Sequence, residues 1–161
     1  MKISKQQLID MKACEDVLER FIEQTNNTDE LVDVLSLIGG KNTVYDLVWL
    51  AGETLHKEKL VRFACDLALI NIDKIKLYTD RYDLIVEFLM NPTTARVDAF
   101  RATARIAVRI AARIAALHAD AVYADRVAAV AVYAVYAVRA AVHAGATQDQ
   151  INTLLVKMFE R

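Results

Sequence analysis

Between Ala95 and Ala146 the chain is a ladder of alanine. It reads Arg105-Ile106-Ala107-Val108, Arg109-Ile110-Ala111-Ala112, Arg113-Ile114-Ala115-Ala116, then resumes as Ala131-Val132-Tyr133, Ala134-Val135-Tyr136, Ala137-Val138-Arg139. Alanine has the strongest helix propensity, so two long helices are expected here, with a break near His118-Ala119-Asp120 and Asp120 as a cap. A four-residue beat on a 3.6-residue helix drifts by about 40° per step. Arg101, Arg105, Arg109 and Arg113 therefore form one slowly spiralling stripe. Ile106, Ile110 and Ile114 form a second, suited to a core, and Ala107, Ala111 and Ala115 a third. Rows of alanine, here and at Ala131, Ala134 and Ala137, let a neighbouring helix approach closely.

The rest of the chain is also helical in pattern. One proline and four glycines are too few for a β-sandwich, which needs many turns. Ser4-Lys5-Gln6-Gln7 is a capping box, and one helix should run from it to Asn26-Asn27. Thr28 should cap a second helix with Leu31, Val34, Leu35 and Leu37, ending at Gly39-Gly40. Asn42 or Thr43 should open a third, up to Gly52. A fourth, from near Thr54 through Ile70, is apolar over more than half its circumference and should be central. Asp80 should cap a fifth, Asn91-Pro92 is a junction, Gly145 should end the ladder, and Thr147-Gln148-Asp149-Gln150 is another capping box. The expectation is one all-α domain over residues 1–161, with about seven or eight helices. It divides into a helical body (1–91), an Ala/Arg-rich helical pair (92–146) and a C-terminal helix (147–161).

Charge is unevenly placed. Residues 95–146 hold seven Arg, no Lys and three Asp, whereas the remainder holds thirteen Lys or Arg against eighteen Asp or Glu. A basic helical pair sits on an acidic body. Like charges at i, i+4 weaken a helix by roughly 0.2–0.5 kcal/mol per pair, so the Arg row needs a neutralising partner. One candidate is internal: Asp80, Asp83 and Glu87 share a helix face just before Pro92. The other is an acidic partner molecule. Arg at every position suits forked recognition of carboxylate or phosphate. Tyr123, Tyr133 and Tyr136, set among Ala and Val, offer large contacts with a polar tip.

The residues of ordinary catalytic and metal sites do not assemble in sequence. His56, His118 and His143 lie far apart, and His118 with Asp120 lacks the i, i+3 or i+4 spacing of helical metal pairs. Glu53, His56 and Glu58 surround an expected helix start. Gly39-Gly40-Lys41 lacks the other positions of a phosphate loop. Cys14 and Cys65 fall in apolar helical patterns and are expected as buried free thiols of a reducing compartment. Met1-Lys2-Ile3-Ser4-Lys5 is not a signal peptide, and the longest uncharged run, the twelve residues Val127 to Val138, is shorter than the roughly 20 a membrane span needs. The expectation is a cytoplasmic, non-enzymatic protein with no cofactor, no metal and no membrane contact.

Leu47-Val48-Trp49-Leu50-Ala51, then Phe63-Ala64-Cys65-Asp66-Leu67-Ala68, then a short acidic-headed helix and a pair of Ala-rich helices, carry a resemblance. Over roughly residues 43–145 the chain resembles an alanine-rich immunity-protein family of polymorphic toxin systems. It is also similar to small tailed-phage proteins that end in Ala/Tyr-rich repeats. The resemblance implies a protein-binding inhibitor that neutralises a bacterial effector or defence protein, in a bacterium or in the host cytoplasm for a phage-encoded version. It carries over no catalytic residue. On this reading Arg101, Arg105, Arg109, Arg113, Tyr123, Tyr133 and Tyr136 bind the partner. Two other readings use the same residues. In one the Arg stripe binds nucleic acid or a nucleotide, against which stand the overall acidity and the absence of a known binding motif. In the other the Ala and Tyr faces pair copies of the chain into a homo-oligomer.

Overall fold

The computed structural model describes residues 1–73, 76, 82–91 and 128–160, apart from the side chains of Lys57 and of residues 128–133. Among these residues the fold is all-α, seven helices with one pairing of two-residue strands. Asp80, Pro92, the Arg101–Arg113 row, Tyr123 and the expected break at His118-Ala119-Asp120 lie outside them.

The capping box at Ser4 forms: the Ser4 hydroxyl accepts from the Gln7 amide at 3.2 Å, and Gln7 Oε1 accepts from the Ser4 amide at 2.9 Å. Helix α1 (Lys5–Asp10) then ends early, not at Asn26 as expected. Lys12 takes a φ of 59°, and the Lys12 and Ala13 amides donate to the Ile9 and Leu8 carbonyls. This is the paired-bond C-terminal closure in which glycine is usual. A lysine there leaves no mark in the sequence. Helix α2 (Glu15–Thr25) restarts after Cys14. As the residue before a helix, Cys14 is exposed, which corrects its expected burial; Cys65 is buried, and both thiols are free. Asn26 and Asn27 stop α2 in left-handed conformations.

The expected helix from Thr28 to Gly39 does not form. Strand β2 (Val32–Asp33) pairs antiparallel with β1 (Lys2–Ile3), Lys2 opposite Asp33 and Ile3 opposite Val32. A single 3-10 turn follows over Val34–Leu37, capped by Asp33 on the Leu35 amide at 3.1 Å. In such a turn residues three apart eclipse. That puts Val34 and Leu37 into the core together. The apolar spacing marked the burial of Val34 and Leu37 but not the helix type, and Leu31, outside the turn, is exposed.

Helix α3 (Val44–Thr54) opens on a capping box between Thr43 and Asp46. Helix α4 (Lys57–Ile70) starts three residues later than expected, after His56. It is central, packing against α3 and against three later helices: α5 (Tyr82–Met90), α6 (Ala128–His143) and α7 (Gln148–Glu160). Its Leu60, Phe63 and Leu67 join Leu47, Val48, Ile151 and Leu155 in the main core. On its other side Cys65 packs with Ile85, Phe88 and Leu89 of α5.

Helix α6 lies against both α3 and α4. Among its described side chains the buried row is Ala134, Val138 and Ala141, with Ala137 half-buried against the core; Ala131 lies outside the described side chains. A three-residue beat falls back about 60° per step, so the contact passes from fully buried Ala134 to half-buried Ala137, with Val138 buried beside it. Gly145, at φ 92°, closes the helix: its amide donates to Val142 O at 2.9 Å and the Ala146 amide to Ala141 O at 2.8 Å. The Thr147 capping box opens α7, with Gln150 Oε1 2.9 Å from the Thr147 amide. No helix among the described residues is long and apolar enough to cross a membrane.

Candidate partner-binding surface

With Ala134, Val138 and Ala141 turned inward, the exposed side chains of α6 among those described are Tyr136, Arg139, Val142 and His143. Tyr136 is 46% exposed and Val142 49%, high values for side chains of their apolar area. Tyr45, in the first turn of α3, is 40% exposed and stands near Arg139 and Val142. The Arg139 guanidinium lies 5.6 Å from the centre of the Tyr45 ring, within cation–π range. The guanidinium carries N–H donors in a planar fork that matches a carboxylate.

The position of Tyr45 follows from its neighbours. The Asp46 carboxylate accepts from the Thr43 amide at 2.8 Å and takes both Arg20 Nε and Nη2, at 2.7 and 2.9 Å. Those hydrogen bonds, with the Asp46 charge, hold the Arg20 pKa above its ordinary value. The first turn of α3 is thus tied to α2, and Tyr45 projects from a fixed base.

Next to Tyr45 lies an open groove of about 310 Å³. Leu47, Val138 and Val142 give it an apolar lining, and Asn42, Gln148 and Asn152 a polar one. One wall is the loop from Gly39 to Asn42. Gln24 fixes that loop: its Oε1 accepts from both the Asn42 amide and Asn42 Nδ2, at 2.9 and 2.8 Å, and its Nε2 donates to Ser36 O. The loop runs so close over Gln24 that a Cβ at Gly40 would sit 2.2 Å from Gln24 Nε2. Lys41 at the edge pairs with Glu23 at 3.1 Å. No ion pair engages Arg139 among the described residues.

A second polar cluster sits midway along α4. Asp66, 8% exposed, accepts from Arg62 through Nε and Nη2 and from Lys157 Nζ at 3.3 Å. Arg62 Nη1 also donates to Met90 O at 2.6 Å. One buried carboxylate thereby clamps α4, the end of α5 and α7. Beside it, burial pushes the Cys65 thiol up to about 11, so it stays protonated at neutral pH and is a poor nucleophile. Among the described residues no group of three or more His, Cys, Asp or Glu is gathered so as to hold a metal ion.

Of the residues expected to bind a partner, Tyr136 is on the exposed face just described. The backbone of Tyr133 belongs to α6, while its side chain, Tyr123 and all four stripe arginines lie outside the described residues. Asp83 and Glu87 are exposed on α5. Sequence reasoning missed Tyr45, Arg139 and Val142. A signal for Arg139 was present: it stands where the Ala-Val-Tyr beat calls for a third tyrosine. Nothing local marks Tyr45, whose partner comes from far along the chain. No protein-family model, curated protein or solved structure matches this chain.

Proposed function

We propose that the chain is a non-enzymatic inhibitor, immunity-like or of the phage counter-defence kind, that neutralises a bacterial effector by covering its working surface. The observation that carries this reading is the exposed Tyr45–Arg139–Tyr136–Val142 surface. Tyr and Arg are the side chains that most often supply the energetic centre of a protein interface. The surface joins the first turn of α3 to α6, and α6 belongs to the same Ala-rich stretch of sequence as Arg101, Arg105, Arg109 and Arg113. The partner face is therefore acidic. The inhibitor works in the cytoplasm of a bacterium, its own or a phage host.

The test is capture of the effector on the immobilised full chain from a bacterial lysate, repeated with Arg105→Glu and Arg109→Glu together. The double variant loses the captured protein while its circular dichroism is unchanged. Equal capture by both chains would remove the Arg row from the interface.

A further inference from the structure

The surface joins three features that a ligand of one kind would use together. Arg139 holds its guanidinium over the Tyr45 ring, and no carboxylate engages it among the described residues. Tyr45 and Val142 flank it as exposed apolar side chains. The groove beside them has an apolar lining from Leu47 and Val138 and a wall held by the Gln24–Asn42 hydrogen bonds. Hydrogen bonds that fix a wall in advance reduce the ordering cost of binding. From this geometry we infer that the site docks an acidic peptide segment of the partner. A carboxylate of the segment sits on the Arg139 fork and a neighbouring aliphatic or aromatic side chain enters the groove.

Charge argues for that occupant. Arg139 beside the groove has no ion pair among the described residues, whereas Lys41 is paired with Glu23 and Asp46 with Arg20. A neutral apolar ligand would use the groove but leave the guanidinium idle. The inference rests on the inhibitor reading, and it extends the interface from the ladder onto the first turn of α3.

The experiment is selection of a displayed library of short random peptides on the full chain, followed by affinity measurement with the enriched peptides. The expected peptides carry Asp or Glu next to Leu, Ile, Phe or Tyr. Arg139→Gln and Tyr45→Ala each weaken them about tenfold, the scale of one charge-assisted contact. Arg139→Lys weakens them too, because it keeps the charge and loses the fork. Arg105→Glu with Arg109→Glu leaves peptide affinity unchanged, which separates this site from the Arg row and its own effector test. Enrichment of peptides without acids, affinities indifferent to Arg139 and Tyr45, or no enrichment at all would overturn the proposal. So would a dimer in sedimentation that Tyr45→Glu dissolves, since the occupant would then be a second copy.

Discussion

Arg20 grips Asp46 with two hydrogen bonds, 2.7 Å from Nε to one oxygen and 2.9 Å from Nη2 to the other. The same carboxylate caps the Thr43 amide, so one buried acid both starts α3 and ties it to α2. Tyr45 sits between Thr43 and Asp46 and inherits that rigidity. The relationship links the stability of the N-terminal half to the geometry of the proposed interface.

Arg20→Ala leaves Asp46, 6% exposed, without its cation. Loss of a hydrogen-bonded charge partner costs about 2 kcal/mol, the scale of hydrogen bonds to charged groups. Urea unfolding should show a lower midpoint with an unchanged slope. An unaltered midpoint would mean that the pair is replaced by solvent at no cost.

Ala134 is fully buried where α6 meets α3 and α4. Ala134→Leu should overpack that contact and lower stability by about 2 kcal/mol. The same substitution at exposed Arg139 should change stability by less than about 0.5 kcal/mol. Thermal unfolding of the two variants side by side reads the difference.

Gly145 holds φ at 92° while its amide closes α6. Gly145→Ala keeps those bonds only with a strained backbone, at a cost of about 1 kcal/mol. The measurement is again the denaturation midpoint.

The two cysteines should differ in reactivity and in pH dependence. A maleimide at neutral pH labels exposed Cys14 and spares buried Cys65 until the chain is unfolded. Burial raises the Cys65 thiol from 9.0 to about 11, so the folded state holds its proton more tightly than the unfolded one. Stability from this group is intact below about 9 and falls as pH rises from there to about 11. Cys65→Ala should flatten that fall, seen in unfolding curves taken across the alkaline range.

What could be read in the sequence was local. The boxes at Ser4–Gln7 and Thr147–Gln150, the Asn26-Asn27 stop and the Gly145 closure each lie within a few residues, and each appears where the pattern puts it. The misreadings came from longer range. Leu31 to Leu37 looked helical because apolar spacing suits an α-helix and a 3-10 turn alike, and only pairing with Lys2–Ile3 decides between them. The break at Lys12 carries no glycine. The proposed interface was half legible: Tyr136 stands out by its beat, whereas Tyr45 acquires its meaning only when the fold brings Arg139 over its ring.

The central claim is occlusion without chemistry, and its most direct measurement is a titration of the captured effector's activity with the purified chain. The account predicts that inhibition saturates at a fixed whole-number stoichiometry, that salt and the Arg105→Glu, Arg109→Glu pair weaken it, and that intact, active effector is recovered from the complex. Inactivation by far less than one chain per effector, or recovery of a chemically altered effector, would contradict it.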